Sequence, residues 1–449
     1  MPERLTFDVG FGRARRRRDG DEPMRLLVLG DFRGDAVADR PPLANRPTLR
    51  VDVDSLEAVM RRLRPALTLP AGEIRFDEID DFHPDRLYGR LDVFKALREK
   101  RAIPPGADED VDRLLGKAPE PRATTPVGDV APAATGGLDA FIREAIAPHI
   151  VKDTSAQAQA YVAAVDSAIA EQMRSFLHYA AFQSLEATWR GVHWLVSRLE
   201  LDENLQLHLF DVSRTELLTD IAEAKAEISK TGLYRALVDR WRNVPGEHGW
   251  AAFVVLDRFG RSATDIGLLA ALGLVASQAG CPLLGDADLQ LADRDDAALE
   301  GWRALRHSEA APWIALAAPR ILLRAPYGGR SDPIESFTFE EFVGPPVHDE
   351  FLWGYSSIGL AMLIGRGFTE RGWDMQLGEE REIDDLPAYT FTRNGEREMQ
   401  ACGERFLSEG EMRHLASAGL IPIASRRDRN AVVAVQFQSI AEPSAPLVW

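Results

Sequence analysis

Short apolar runs alternate with amphipathic stretches through the first hundred residues. Met24-Arg25-Leu26-Leu27-Val28-Leu29-Gly30 is an apolar run closed by Asp31 and Gly34, which predicts a buried strand running into a turn. Thr48 to Val53 alternates and places Leu49, Val51 and Val53 on one face of a second strand. Asp54 or Ser55 can cap a helix in which Leu56, Val59, Met60 and Leu63 share a side, and Pro65 stops it. Ile74 and Phe76 predict another strand. Pro84 then opens a helix carrying Leu87, Leu91, Phe94 and Leu97.

The pattern breaks at residues 105–136, where Pro105, Pro119, Pro121, Pro126 and Pro132 are spaced by Ala, Thr and Gly. Such a stretch cannot bury enough apolar surface to offset ordering entropy and reads as a flexible linker. Helical periodicity resumes over 156–200 and 213–242, followed by a β-prone run at Ala251 to Leu256 and a helix over Thr264 to Ala279. Ile314 to Leu316, Ile321 to Leu323 and 431–438 read as strands, and Phe351 to Phe368 as an apolar helix. The alternation predicts an α/β fold, with α+β as the alternative. It divides the chain into a small N-terminal α/β domain (1–104), a linker (105–136) and a larger domain (137–449), with the two domains separately folded but docked.

The most informative helix is the one around residue 189. Phe182, Leu185, Trp189, Val192 and Val196 recur at three- and four-residue steps and form one apolar stripe. Arg190 stands beside Trp189, where a guanidinium can stack on or hydrogen-bond near an indole. Trp189 and Trp353 are expected in the core, although buried aromatics also anchor subunit interfaces. The place of Trp449 is left open.

Composition narrows the function. Fifty-three Lys and Arg against 70 Asp and Glu leave a formal charge of −17, which argues against a broad nucleic-acid surface. The one basic run, Arg13 through Arg18, soon meets Asp19, Asp21 and Glu22 and reads as a solvated arm. With Cys281 and Cys402 as the only cysteines, neither a disulfide framework nor a cysteine zinc site is expected. No apolar run approaches the length of a membrane span and the N-terminus carries no signal-peptide pattern, so a cytoplasmic location is expected, without direct membrane insertion.

No motif asks for catalysis. The nine histidines form neither HxxxH nor HExxH, and there is no GxxxxGK[ST] loop or strand-linked GxGxxG. Asp77, Glu78, Asp80, Asp81, His83 and Asp85 form the densest acidic cluster, read as solvated carboxylates plus a helix cap beside Pro84. Pro326-Tyr327-Gly328-Gly329-Arg330 reads as a turn after a strand, and Cys402 as a passive small residue. No metal, cofactor or catalytic residue is expected.

Longer strings carry a resemblance. FQSLEATWRGVHWLV, DENLQLHLFDVSRTELLTDI (202–221), PRILLRAPYGGRSDPIESFTFEE (319–341), HDEFLWGYSSIGLAMLI (348–364) and EGEMRHLASAGLIPIASRRDRNAVV (409–433) resemble, in order and spacing, the large (TssC-like) subunit of the type VI secretion contractile sheath. That resemblance covers about 138–443. MRLLVLGDFRG (24–34), RPTLRVDVDSLEAVM (46–60) and IDDFHPDRL (79–87) resemble the small (TssB-like) subunit. The chain therefore resembles a small/large subunit fusion lacking the family's usual C-terminal portion.

The resemblance implies a phage-tail-like structural protein without covalent chemistry. Its implied partners are other sheath subunits, joined through strands exchanged between neighbours, and the inner tube and baseplate. An accessory or capping homologue is the alternative it leaves open. It also implies recognition by a ClpV-like AAA+ ATPase through a helix corresponding to 138–146, where Leu138, Phe141, Ile142 and Ala145 form an apolar face. Packing of that face onto the protein's own core is the other reading.

Overall fold

The computed structural model describes residues 20, 22–35, 40–69, 72–102, 157–241, 249–293 and 299–449. The fold is of the α/β class. Its strands in chain order begin with β1 (Met24–Gly30), β2 (Leu49–Val51), β3 (Ala66–Leu69) and β4 (Gly72–Arg75). β5 (Leu205–Asp211), β6 (Ala252–Phe259), β7 (Leu283–Ala287), β8 (Ile314–Ala318), β9 (Ile321–Leu322) and β10 (Trp353–Gly354) follow. The last are β11 (Glu382–Ile383), β12 (Tyr389–Arg393), β13 (Glu396–Gln400), β14 (Ile421–Ser425) and β15 (Val432–Ala434).

One nine-stranded sheet organises the molecule, in the order β11-β15-β14-β8-β7-β6-β1-β5-β2. The six strands from β14 to β5 run parallel, and antiparallel strands close both edges. Central parallel strands need both faces covered, which is why β1 is apolar except for Arg25, whose guanidinium lies over the rings of Trp241 and Trp250, and is buried at every position. Its side chains alternate between two cores: Met24, Leu26 and Val28 face one, Leu27 and Leu29 the other.

Helices cover each face. α1 (Leu56–Leu63), α2 (Pro84–Arg90), α3 (Asp92–Ala102), α4 (Gln157–Leu177) and α5 (Ala180–Val196) pack in the first core. α6 (Arg214–Glu223), α7 (Ala263–Ala279) and α8 (Glu300–Arg306) pack in the second. The buried helix α9 (Ser356–Arg371) joins the first core and α10 (Glu409–Ser417) the second.

Two folding units on either side of the linker were expected from the change of sequence character. The sheet corrects that expectation, because β1 lies hydrogen-bonded between β5 and β6, strands from the far side of the linker. A strand in that position cannot leave without exposing both ladders, so the flanking regions share one sheet and one core. The linker itself, 105–136, lies outside the described residues.

Smaller departures have local causes. β2 ends at Val51, so Val53 turns out to solvent at 62% exposure instead of joining Leu49 and Val51. The periodic stretch 156–200 is two helices, broken at His178-Tyr179, and the helix opened by Pro84 is divided at Leu91. Phe351 to Tyr355 is not helical; Trp353 and Gly354 form β10 and the helix begins at Ser356.

Candidate assembly site

The seam between the N-terminal region and the rest is built from aromatic side chains. α5 presents the stripe read from its spacing, and Phe182, Leu185, Trp189, Val192 and Val196 are all buried. Trp189 meets Phe32 edge-on at 5.4 Å between ring centroids, and its indole N–H donates to the Phe32 carbonyl at 3.0 Å. Phe182 stands edge-on to Phe76 and Phe82, which stack on each other at 4.2 Å. Phe94 meets Phe176, and Tyr88 meets Phe337. Each of these pairs joins a residue before the linker to one after it, except the Phe76–Phe82 stack.

Polar contacts pin the same seam. The Asp85 carboxylate accepts from the backbone N–H groups of Glu335 and Ser336 at 3.1 and 2.9 Å. Arg101 pairs with Asp166 at 2.6 Å, and the Trp373 indole donates to the Glu22 carbonyl at 2.6 Å. Trp449 packs against Trp373, a position the sequence left open.

Behind the stripe lies a buried ion network that the sequence reading missed. Glu186 is fully buried on α5 and accepts from Arg190 at 2.7 Å and from Arg324 at 2.9 Å. Arg324 grips both oxygens of buried Glu341, at 2.7 and 3.2 Å, and stacks 4.1 Å above the Tyr327 ring. Arg190 donates to the Tyr327 hydroxyl at 2.8 Å, and the Tyr327 backbone N–H donates to Glu341. His178, at the break between α4 and α5, stands 3.4 Å from Glu341 and 3.6 Å from Glu350.

Burial alone would raise Glu341, but Arg324, His178 and the Tyr327 N–H hold its carboxyl down to about 2. Burial pushes the Tyr327 hydroxyl up to about 12. Two carboxylates and two guanidiniums thus balance inside the protein and fasten the loop 324–342 to α5. The signal was available: Glu186 interrupts a helix whose neighbours on both sides are apolar, and a charge there needs a partner. Arg190 was singled out for its place beside Trp189; its partners are Glu186 and Tyr327.

A carboxylate lies at or near the carboxyl end of each of four adjacent parallel strands: Asp211 on β5, Asp31 after β1, Asp257 on β6 and Asp286 on β7. α/β folds place their chemistry at this edge. Each carboxylate is engaged from within. Asp31 pairs with Arg40, Asp257 with Arg214, and Asp211 accepts from the Phe32 N–H at 3.0 Å. Asp286 sits at the N-terminus of α9, accepting from Ser356 N at 2.5 Å and Ser357 N at 3.2 Å. Burial pushes Asp286 up to about 7 and Asp211 up to about 6.

Around Trp353 lies a small separate cluster of Leu322, Phe342, Phe351 and Trp353, with Tyr389 packed against it. The Trp353 indole donates to the His348 carbonyl at 2.8 Å. Tyr389 belongs to the hairpin β12–β13, a two-stranded sheet whose outer edges pair with no further strand among the described residues.

The acidic cluster at 77–85, read from the sequence as solvated, is only partly so. Asp81 is buried, pairs with Arg90 at 2.5 Å and accepts from the Asp77 N–H at 2.7 Å. The cap beside Pro84 is His83, whose Nδ1 accepts from the Asp85 N–H. Among the described residues, no group of three or more His, Cys, Asp or Glu is placed to hold a metal, and no helix is long and apolar enough to cross a membrane. Cys281 and Cys402 are buried, and burial pushes the Cys402 thiol up to about 11. Leu138, Phe141, Ile142 and Ala145 lie outside the described residues.

Comparison with known proteins agrees with this architecture. A family described as "EvpB/VC_A0108, tail sheath N-terminal domain" matches residues 159–299 and 294–441. A second, described as "Type VI secretion system, VipA, VC_A0107 or Hcp2", matches residues 4–103. The type VI secretion system sheath protein TssC1 of Pseudomonas aeruginosa is 28% identical over 316 residues, 66% of this chain. The aligned stretch spans 64% of that relative's length, a little under two thirds. With most of its length matched by the tail-sheath family and its first hundred residues by the VipA family, the chain belongs to the type VI secretion tail-sheath proteins, small- and large-subunit-like sequences following one another in one polypeptide.

Proposed function

We propose that this chain is a non-enzymatic structural subunit of a type VI secretion contractile sheath or sheath-like assembly. It acts in the cytoplasm through protein–protein interfaces. The observation that carries the reading is β1, a strand from the small-subunit-like region inserted between two strands of the large-subunit-like region. Small and large parts that share a central strand act mechanically as one body, as a subunit that transmits force must.

The hairpin β12–β13 supplies the means of assembly. An isolated two-stranded hairpin is marginal alone, and its unpaired edges suit strand addition from a neighbouring subunit. In this reading Trp189, Phe182 and Leu185 are core anchors of the subunit, Arg190 belongs to the network that stiffens it, and Trp353 supports the base of the hairpin. Inner tube and baseplate are further partners in this proposal, and the 138–146 segment is the recognition helix for a ClpV-like ATPase. Electron microscopy of the purified protein tests the proposal directly, since a sheath subunit forms tubes or rings.

A further inference from the structure

The carboxyl ends of β1 and β5 open onto a cleft of about 700 Å³, between segment 40–46 and the stretch 215–235 that begins on α6. Doubly wound sheets bind ligands at this edge, beside a reversal of strand order. Here the chain leaves β1 toward β2, whereas it leaves β5 for β6 on the far side of β1.

The floor of the cleft is filled from within. Glu216 accepts from Arg46 at 2.6 Å, from Arg40 at 3.0 Å and from the Ser213 N–H at 2.9 Å. Arg46 also donates to the carbonyls of Pro41 and Asp211, both at 2.6 Å, and Arg240 donates to those of Ala44 and Arg46. The wall 41–46 is therefore strapped in place and the floor is charge-balanced.

The rim is different. Lys230 pairs with Glu227 at 2.7 Å, and Asp220 is occupied by the N–H groups of Gly232 and Leu233. Lys225 and Arg235 are exposed and their side chains have no hydrogen-bond or ionic partner among the described residues, against one such carboxylate, Glu223. The lining also carries Pro41-Pro42-Leu43-Ala44, in which both prolines are exposed and Leu43 is buried against the second core. An open cleft with two exposed prolines and two free cations suits an extended acidic segment better than an enclosed small molecule. Every copy of this chain offers such segments, for its net charge is −17 and side chains such as Asp384 and Asp385 stand 60% and 93% exposed even while each pairs with one arginine of its own chain, Arg366 and Arg198.

We propose that the cleft between 40–46 and 215–235 docks an extended acidic segment of a second copy of this chain, Lys225 and Arg235 pairing with its carboxylates and Pro41 and Pro42 packing its apolar stems. The inference rests on the assembly reading above and names one of its contacts.

The test places the photocrosslinker p-benzoylphenylalanine at Thr219, on the cleft wall, in the full-length protein. The expected product joins two copies and maps to a peptide bearing Asp or Glu. Lys225→Glu with Arg235→Glu should cut its yield, and raise the concentration at half-assembly, by about tenfold. Salt at 1 M, which screens beyond about 3 Å, should act likewise, and Lys225→Ala with Arg235→Ala should show a smaller loss with unchanged melting. If the protein forms tubes or rings but the crosslink is missing, maps to a peptide without carboxylates, joins another protein, or survives the charge reversal, the docking inference is overturned and the assembly reading stands. If the wild-type protein stays a single chain at every concentration, both fail.

Discussion

The indole N–H of Trp189 donates to the carbonyl of Phe32, 157 residues earlier in the chain. That bond, with the edge-on ring contact beside it, ties the most sequence-distinctive helix of the large-subunit-like region to the turn after β1. Trp189→Ala should therefore cost about 3–5 kcal/mol, from the cavity and the carbonyl left without its donor. Trp189→Phe keeps most of the packing and should cost about 1–2 kcal/mol. Denaturant unfolding followed by fluorescence and by circular dichroism should give one coincident transition in both variants. Two separated transitions would contradict the shared core.

The buried network predicts strong coupling. Arg324→Met leaves Glu186 and Glu341 without their shared cation and should cost about 3–5 kcal/mol. Adding Glu341→Gln to Arg324→Met should cost less than the sum of the two single changes, because the second removes the charge the first stranded. Additive losses in a double-mutant cycle would show that the pair is not coupled.

Glu341 also predicts acid sensitivity. Its carboxyl is held below its ordinary value in the folded protein, so its contribution is present above about pH 4.5 and is lost as pH falls toward 2. The loss is about 3 kcal/mol over that window. In Glu341→Gln the stability measured between pH 5 and 2.5 should fall less steeply than in the wild type. Parallel curves would remove Glu341 from the explanation.

Asp286 has the opposite sign. Its folded value is raised to about 7, so its contribution is full below about pH 4 and is lost as pH rises through 7. Asp286→Asn keeps an acceptor for the α9 N-terminus but carries no charge to bury. Melting temperatures across pH 4–8 should show the variant gaining on the wild type as pH rises, and a constant difference would contradict the assignment.

The helix expected at 138–146 gives a binding prediction. A peptide spanning 136–150 should bind the N-terminal domain of a ClpV-like ATPase, and replacing Phe141 and Ile142 with Asp should abolish binding. No binding by the intact peptide would remove the recycling step from the proposed function.

Local periodicity made much of this legible. β1, α1 and the stripe on α5 follow from where apolar residues recur, because burial on one or two faces dictates that recurrence. Pairing of β1 with β5 and β6 was not legible, since a parallel ladder between distant segments leaves no mark in either one. Nor was the partnership of Glu186 with Arg324 and Glu341: each charge looks surface-like in its own segment, and only Glu186, set in an apolar helix, hinted otherwise. Val53 was misread because alternation continues for one residue after β2 has lost its neighbour.

The central claim is that the fused chain is a sheath subunit that assembles. Negative-stain microscopy of the purified full-length protein across a range of concentrations tests it most directly. The account predicts tubes or stacked rings that grow with concentration. Uniform single particles of one 49.7 kDa chain at every concentration would contradict it.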